Sequence, residues 1–257
     1  MKIIAAALAA SAAVALAVAG PASALTNLVT NGGFETNGGG GQINFNTFAT
    51  GWTVGGTKNN SYTFLYKAGS SDRLTGANKA PSGVSGQVAL WGPNDGSANF
   101  LPASSPQGGY FLAQDGDYPG HTSAVQQTIS GLQPGKEYLL TFDYGFAQQH
   151  GFDGKTVQDW QVSLGSETWK TTSYDLGNHG FSGWLQGQFE FTASNASEVL
   201  SFLAQGNKPL PPFALLDNVS LSMVLPEPSD WVLMLAGFAV IGAAARTRRA
   251  RGLIAKA

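Results

Sequence analysis

The sequence predicts an all-β domain of the sandwich or barrel type, and three observations carry that prediction. Short runs alternating apolar and polar residues recur, each bounded by Gly, Pro, Asn or Asp. Helix-periodic stretches are almost missing between Leu25 and Leu225. Glycine is abundant, at 34 residues, alongside much Asn, Ser and Thr. A chain that switches direction this often, with period-2 patterning between turns, builds sheets.

The elements follow in order. Gly38–Gly41 lacks a lysine and a Ser/Thr at P-loop spacing, so it reads as a flexible loop and not a phosphate cradle. Ser70–Pro106, rich in Gly, Ser, Ala, Asn and Pro, reads as a long surface excursion with one strand candidate, Gln87–Trp91. Ala124–Ile129 and Glu137–Tyr144 read as paired strands. Pro134-Gly135 sets the reversal between them, Pro fixing φ and Gly free to take φ > 0. Gly145–Gly154 reads as a polar inter-strand loop. Trp160–Leu164, Gln188–Thr192 and Val199–Leu203 alternate, and Ala214–Met223 closes the domain. Trp52 is expected in the core.

Both ends differ from this middle. Residues 1–24 carry one early positive charge at Lys2, a run of Ala, Leu and Val, and the small-residue ending Ala22-Ser23-Ala24. That pattern predicts a signal peptide removed by signal peptidase after Ala24. Residues 25–225 form the predicted domain, and 226–251 a tail. In the tail, Pro226, Glu227 and Pro228 precede the uncharged run Trp231–Ala245, and Arg246, Arg248, Arg249 and Arg251 follow. Fifteen helical residues span roughly 22 Å, short of the ~30 Å hydrocarbon core, so the expected transmembrane helix is marginal and leans on snorkelling arginines. Positive charge after the span places the domain outside the cytoplasm.

Between Leu25 and Leu225 there are eight Lys and Arg against fourteen Asp and Glu, a net of −6. An acidic domain without basic clusters argues against nucleic acid as a partner. The chain has no cysteine, which removes disulfides, thiol catalysis and Cys-zinc sites and leaves the core, helped by any bound metal, to stabilise an exported domain.

The tail resembles the PEP-CTERM sorting signal of Gram-negative bacteria. That resemblance implies recognition by an exosortase, a membrane cysteine peptidase, and transfer to the cell surface or an extracellular polysaccharide matrix, where biofilm proteins reside. The domain also carries a resemblance. Asn27–Glu35 with Gly51-Trp52-Thr53-Val54, the segment Gly131–Tyr138, and Leu215–Leu221 are similar to the opening, central hairpin and closing strand of galactose-binding-like jelly rolls, which include carbohydrate-binding modules. The fold this implies is a jelly-roll β-sandwich. It further implies a structural calcium tying the first segment to the last strand, at positions matching Gly33 (carbonyl), Glu35 and Asp217. Hard oxygen donors suit Ca²⁺.

Sugars offer C–H faces to aromatic rings and hydroxyls to polar side chains, so aromatic residues with a polar handle are the candidates. These are Trp91, Tyr110, Tyr118, Trp160, Trp169 and Trp184, with Asn94, Asp95, Gln114, Asp115 and Asp117 near them in sequence. No catalytic motif stands out. His121, His150 and His179 lie near acidic residues without metal or triad spacing, and no Gly-x-Ser-x-Gly elbow is present. The expectation is therefore a non-catalytic, exported, polysaccharide-associated protein. A carbohydrate-active enzyme with two facing carboxylates and a matrix or adhesion scaffold without sugar affinity are the alternatives.

Overall fold

The computed structural model describes residues 26–55, 62–99, 105–116, 123–206 and 210–225, with 234–235, 237–239 and 241–242. The expected signal peptide, sorting motif Pro226-Glu227-Pro228 and arginines 246–251 lie outside the described residues, as do Tyr118 and His121. The described residues beyond 225 are helical, and among the described residues no helix is long and apolar enough to cross a membrane.

Within Leu25–Val224 the strands are β1 (Gly41–Gln42), β2 (Thr53–Val54), β3 (Thr63–Lys67), β4 (Ser82–Gly83), β5 (Gly86–Gln87), β6 (Tyr110–Asp115) and β7 (Val125–Ser130). They continue with β8 (Glu137–Gln148), β9 (Thr156–Leu164), β10 (Glu167–Lys170), β11 (Tyr174–Leu176), β12 (Leu185–Thr192), β13 (Ser197–Gly206) and β14 (Pro212–Met223). One sheet has the order β1-β3-β6-β14-β8-β12 and the other β10-β9-β13-β7-β2, with β11 also on β9. The strand pairings within them are antiparallel. From β6 onward the chain passes between the two sheets, β6, β8, β12 and β14 in the first, β7, β9 and β13 in the second. That wrapping is a jelly-roll sandwich, as expected.

Period-2 patterning drives the packing. Along β9, Trp160, Val162 and Leu164 face inward and are buried, with partly exposed residues between them. They meet Phe142, Tyr144 and Phe146 of β8 and Leu200 and Phe202 of β13 in the inter-sheet core. Trp52 lies in this core, 5.3 Å from Phe34, its indole N–H donating to the Asn31 carbonyl. The turn after β7 forms as expected, Gly135 taking φ 76° and the Tyr138 hydroxyl accepting the Gln133 N–H at 2.8 Å. The expected pairing of the two strands is corrected: β7 lies between β13 and β2 in one sheet and β8 between β14 and β12 in the other, so the turn carries the chain across the sandwich.

A second apolar cluster covers the outer face of the first sheet. Leu65 and Leu112 belong to the inter-sheet core, so their pleat neighbours Phe64, Tyr66, Phe111 and Ala113 point the opposite way. They are buried under Ala80, Val88, Ala89 and Leu90. The 70–106 excursion is therefore a packed cover as far as it is described, not a free surface loop. Gln87–Trp91 is not one strand. Only Gln87 belongs to the β4–β5 hairpin, while the N–H groups of Val88, Leu90 and Trp91 donate to Pro81, Ser71 and Gln148 on three different segments. Two further expectations are corrected. Gly38–Gly41 is tied down, Gly41 pairing with Leu65 and the Gly38 N–H donating to Phe48. Gly145–Gln148 is strand, because β14 continues the ladder as far as Pro212 opposite Gln148.

Candidate carbohydrate-binding cleft and cation site

The N-terminal segment is laced to the last strand. Leu28 and Val219 donate their N–H groups to the Leu221 and Gly32 carbonyls, at 2.8 and 3.0 Å. A Cβ at Gly32 would fall 1.9 Å from the Val219 oxygen, so only glycine permits this approach. The lacing brings Gly33, Glu35 and Asp217 together: a Cβ built on Gly33 would lie 3.7 Å from Asp217 Oδ1 and 3.9 Å from Glu35 Cγ. Asp143 of β8 is directly opposite Asp217, where a bulge begins in β14. Asn218 donates its N–H to Asp217 Oδ1 at 2.7 Å and its side-chain amide to Asp143 Oδ2 at 3.3 Å.

The end of the excursion closes over these carboxylates. Ser105 donates its hydroxyl to Asp217 Oδ2, and the Tyr110 N–H donates to Glu35 Oε1 at 2.7 Å. Burial raises the Asp217 carboxyl from 3.8 to about 7; the Ser105 and Asn218 hydrogen bonds oppose this, while Glu35 and Asp143 add to it. Among the described residues no three His, Cys, Asp or Glu side chains close to metal-binding distance. A cation here would take Glu35, Asp217 and backbone carbonyls, a hard oxygen set that fits Ca²⁺.

The five aromatic candidates among the described residues separate. Trp160 is corrected outright: it is wholly buried, its indole N–H donating to the Leu215 carbonyl at 3.1 Å. Tyr110 is half-buried against the inter-sheet core beside Glu35. Trp184 packs edge-on against Phe111 within the outer cluster, 5.6 Å between centroids. Trp91 contacts two imidazole rings, His179 stacked at 3.7 Å and His150 tilted at 4.2 Å, and its indole N–H donates to the Phe152 carbonyl. His179 is itself held by Asp153, Nε2 to Oδ1 at 2.5 Å. These contacts make Trp91 a fastener between the excursion and the loops after β8 and β11. Asn94 serves the same region by binding Asp72, while Asp95 caps Gly92. Gln114 and Asp115 are buried.

Trp169 is the exception. It is 47 % exposed and lies nearly parallel to Phe189, centroids 5.9 Å apart and planes at 15°. β10 is the edge strand of one sheet and β12 of the other. Trp169 pairs with the core residue Val162, so its ring is directed toward the gap between the two sheets at their lateral opening. A cleft of about 520 Å³ opens there, lined by Trp169, Phe189, Glu137, Glu167, Gln188 and Glu190 among others. An aromatic plane with polar groups around it can stack on a sugar ring and hydrogen-bond its hydroxyls. Apart from Trp169, none of these residues was expected at a site. Gln188-Phe189-Glu190 reads in sequence only as alternation, and Glu137 and Glu167 come from other strands.

No family model matches the chain, and no curated protein matches it. Solved structures similar to it include a carbohydrate-binding module, TmCBM61, in complex with β-1,4-galactotriose. It is 17% identical, with a TM-score of 0.40, over 77% of this chain and 99% of that one. Another is the CBM22-1 xylan-binding domain of Xyn10C from Paenibacillus barcinonensis, 12% identical with a TM-score of 0.38, over 80% of this chain and 99% of that one. A third is a CBM4 structure, 18% identical with a TM-score of 0.34, over 76% and 99% of the two chains.

Proposed function

We propose that this protein is an exported, non-catalytic polysaccharide-binding protein, and that its sugar lies in the Trp169 cleft. The exposed, stacked Trp169 within a polar-lined cleft is the observation that carries the reading. The signal-like residues 1–24 and the tail 226–251 support processing by signal peptidase and an exosortase. In this reading the tail holds the chain in the membrane only until it is cut, and the domain then resides at the cell surface or in the matrix. Ca²⁺, held by Gly33, Glu35 and Asp217, would neutralise the carboxylates that lace the first segment to β14, and its part is structural.

The test of binding is titration of the full chain with polysaccharides of differing composition, comparing wild type with Trp169→Ala. Loss of binding in the variant supports the reading, and absence of binding by the wild type contradicts it. For the tail, the mature mass in the native host decides: a C-terminus still at Ala257 would mean an ordinary anchor.

One observation favours a second reading. Glu137, Glu167 and Glu190 share the cleft, and a glycosidase requires two facing carboxylates. Polysaccharide turnover abolished by a single Glu→Gln change there would replace the non-catalytic reading with an enzymatic one.

A further inference from the structure

The charge of the cleft narrows the saccharide, an inference that rests on the binding reading above. Its lining holds three carboxylates, Glu137 from β8, Glu167 from β10 and Glu190 from β12, and no Lys, Arg or His. Among the described residues none of the three takes part in an ion pair. Glu167 Oε1 accepts a long hydrogen bond, 3.3 Å, from the Thr192 N–H. Lys170, on β10 one residue from Trp169, is engaged elsewhere, with Gln205 and Asp159.

The aromatic surface adds to this. A tryptophan face attracts a cation as well as sugar C–H groups, and Phe189 behind Trp169 fixes that face in place. A polyuronate would meet three like charges, and a neutral glycan would gain stacking without charge pairing. We propose that the cleft binds a cationic polysaccharide, one built of amino sugars with free, protonated amines such as glucosamine. The stacked ring takes the sugar face and the glutamates take the ammonium groups. The net −6 of residues 25–225 attracts the same polymer from longer range.

The experiment is calorimetric titration of the full chain with glucosamine oligomers, N-acetylglucosamine oligomers of equal length and galacturonate oligomers, at mildly acidic pH. Glucosamine oligomers are expected to bind about tenfold more tightly than the acetylated ones, the scale of a few exposed charge pairs. That advantage should shrink as salt rises. Glu167→Gln combined with Glu190→Gln should bring the ratio of the two affinities close to one, while Trp169→Ala should weaken both. Equal, Trp169-dependent binding of amine and acetylated oligomers would overturn the inference and leave the binding reading standing. Binding of no oligomer would remove both. Glucosamine binding that survives Trp169→Ala, or that oligolysine matches, would show charge attraction alone and overturn it as well.

Discussion

Asp217 sits directly opposite Asp143 across the β14–β8 ladder, both buried, and Ser105 at the end of the excursion donates its hydroxyl to Asp217. Two carboxylates in that position, with Glu35 close by, tie the stability of the fold to proton concentration.

The pH dependence has a definite sign. Asp217 titrates at about 7 in the folded protein against 3.8 ordinarily, raised first by burial. Between those values the folded state keeps a proton the unfolded state has lost, so stability falls as pH rises through that window. In calcium-free buffer the thermal midpoint of the wild type should therefore drop between about pH 4 and pH 7. Asp217→Asn should show a smaller drop, and parallel melting curves of the two proteins check this. Identical slopes would remove Asp217 as the cause.

Calcium should act in the opposite direction. At neutral pH, Ca²⁺ at about 100 times its Kd stabilises by about 2.7 kcal/mol, or roughly 5–10 °C for a domain of this size. Chelation should reverse the shift, and Asp217→Asn or Glu35→Gln should abolish it. A midpoint indifferent to chelator would count against the cation site.

Two tryptophans should differ in stability cost. Trp160→Ala empties a wholly buried position and removes the indole hydrogen bond to the Leu215 carbonyl, so it should cost about 3–5 kcal/mol in urea unfolding. Trp169→Ala, at a half-exposed edge position, should cost about 1 kcal/mol or less. Similar losses for both would contradict their assignment to core and cleft.

Gly32→Ala probes the lacing of the first segment to β14. The added Cβ would meet the Val219 oxygen at 1.9 Å, so the backbone must part there. Destabilisation of roughly 2 kcal/mol or more is expected, together with loss of the calcium shift, because Gly33 and Glu35 would move with the segment. An unchanged calcium response would separate the cation site from this contact.

The strands legible in the sequence are those with one buried face. Thr156–Leu164 alternates because its inward residues fill the inter-sheet core while its outward ones are more exposed. Thr63–Lys67 and Tyr110–Asp115 escaped notice because both their faces are buried, Leu65 and Leu112 in one cluster and Phe64, Tyr66 and Phe111 in the other. With alternation erased, such runs lose the period that marks a strand. The grouping of Gly33, Glu35 and Asp217 was readable through family resemblance, but Asp143 and Ser105 join them only by ladder register and loop closure. Trp160 and Trp169 look alike in sequence. Strand order separates them, placing one on an inner strand and the other on the edge strand beside it. The glutamates around Trp169 come from three strands, so no spacing could announce them.

The proposal puts Trp169, and not the buried aromatics or Trp91, against the sugar. It is tested most directly by measuring polysaccharide affinity for wild type, Trp169→Ala and Trp91→Ala, each confirmed folded by its melting curve. Trp169→Ala should lose roughly five- to thirtyfold in affinity, since stacking on one aromatic and the area it buries are worth about 1–2 kcal/mol, while Trp91→Ala should bind like wild type. Full affinity in Trp169→Ala would contradict it.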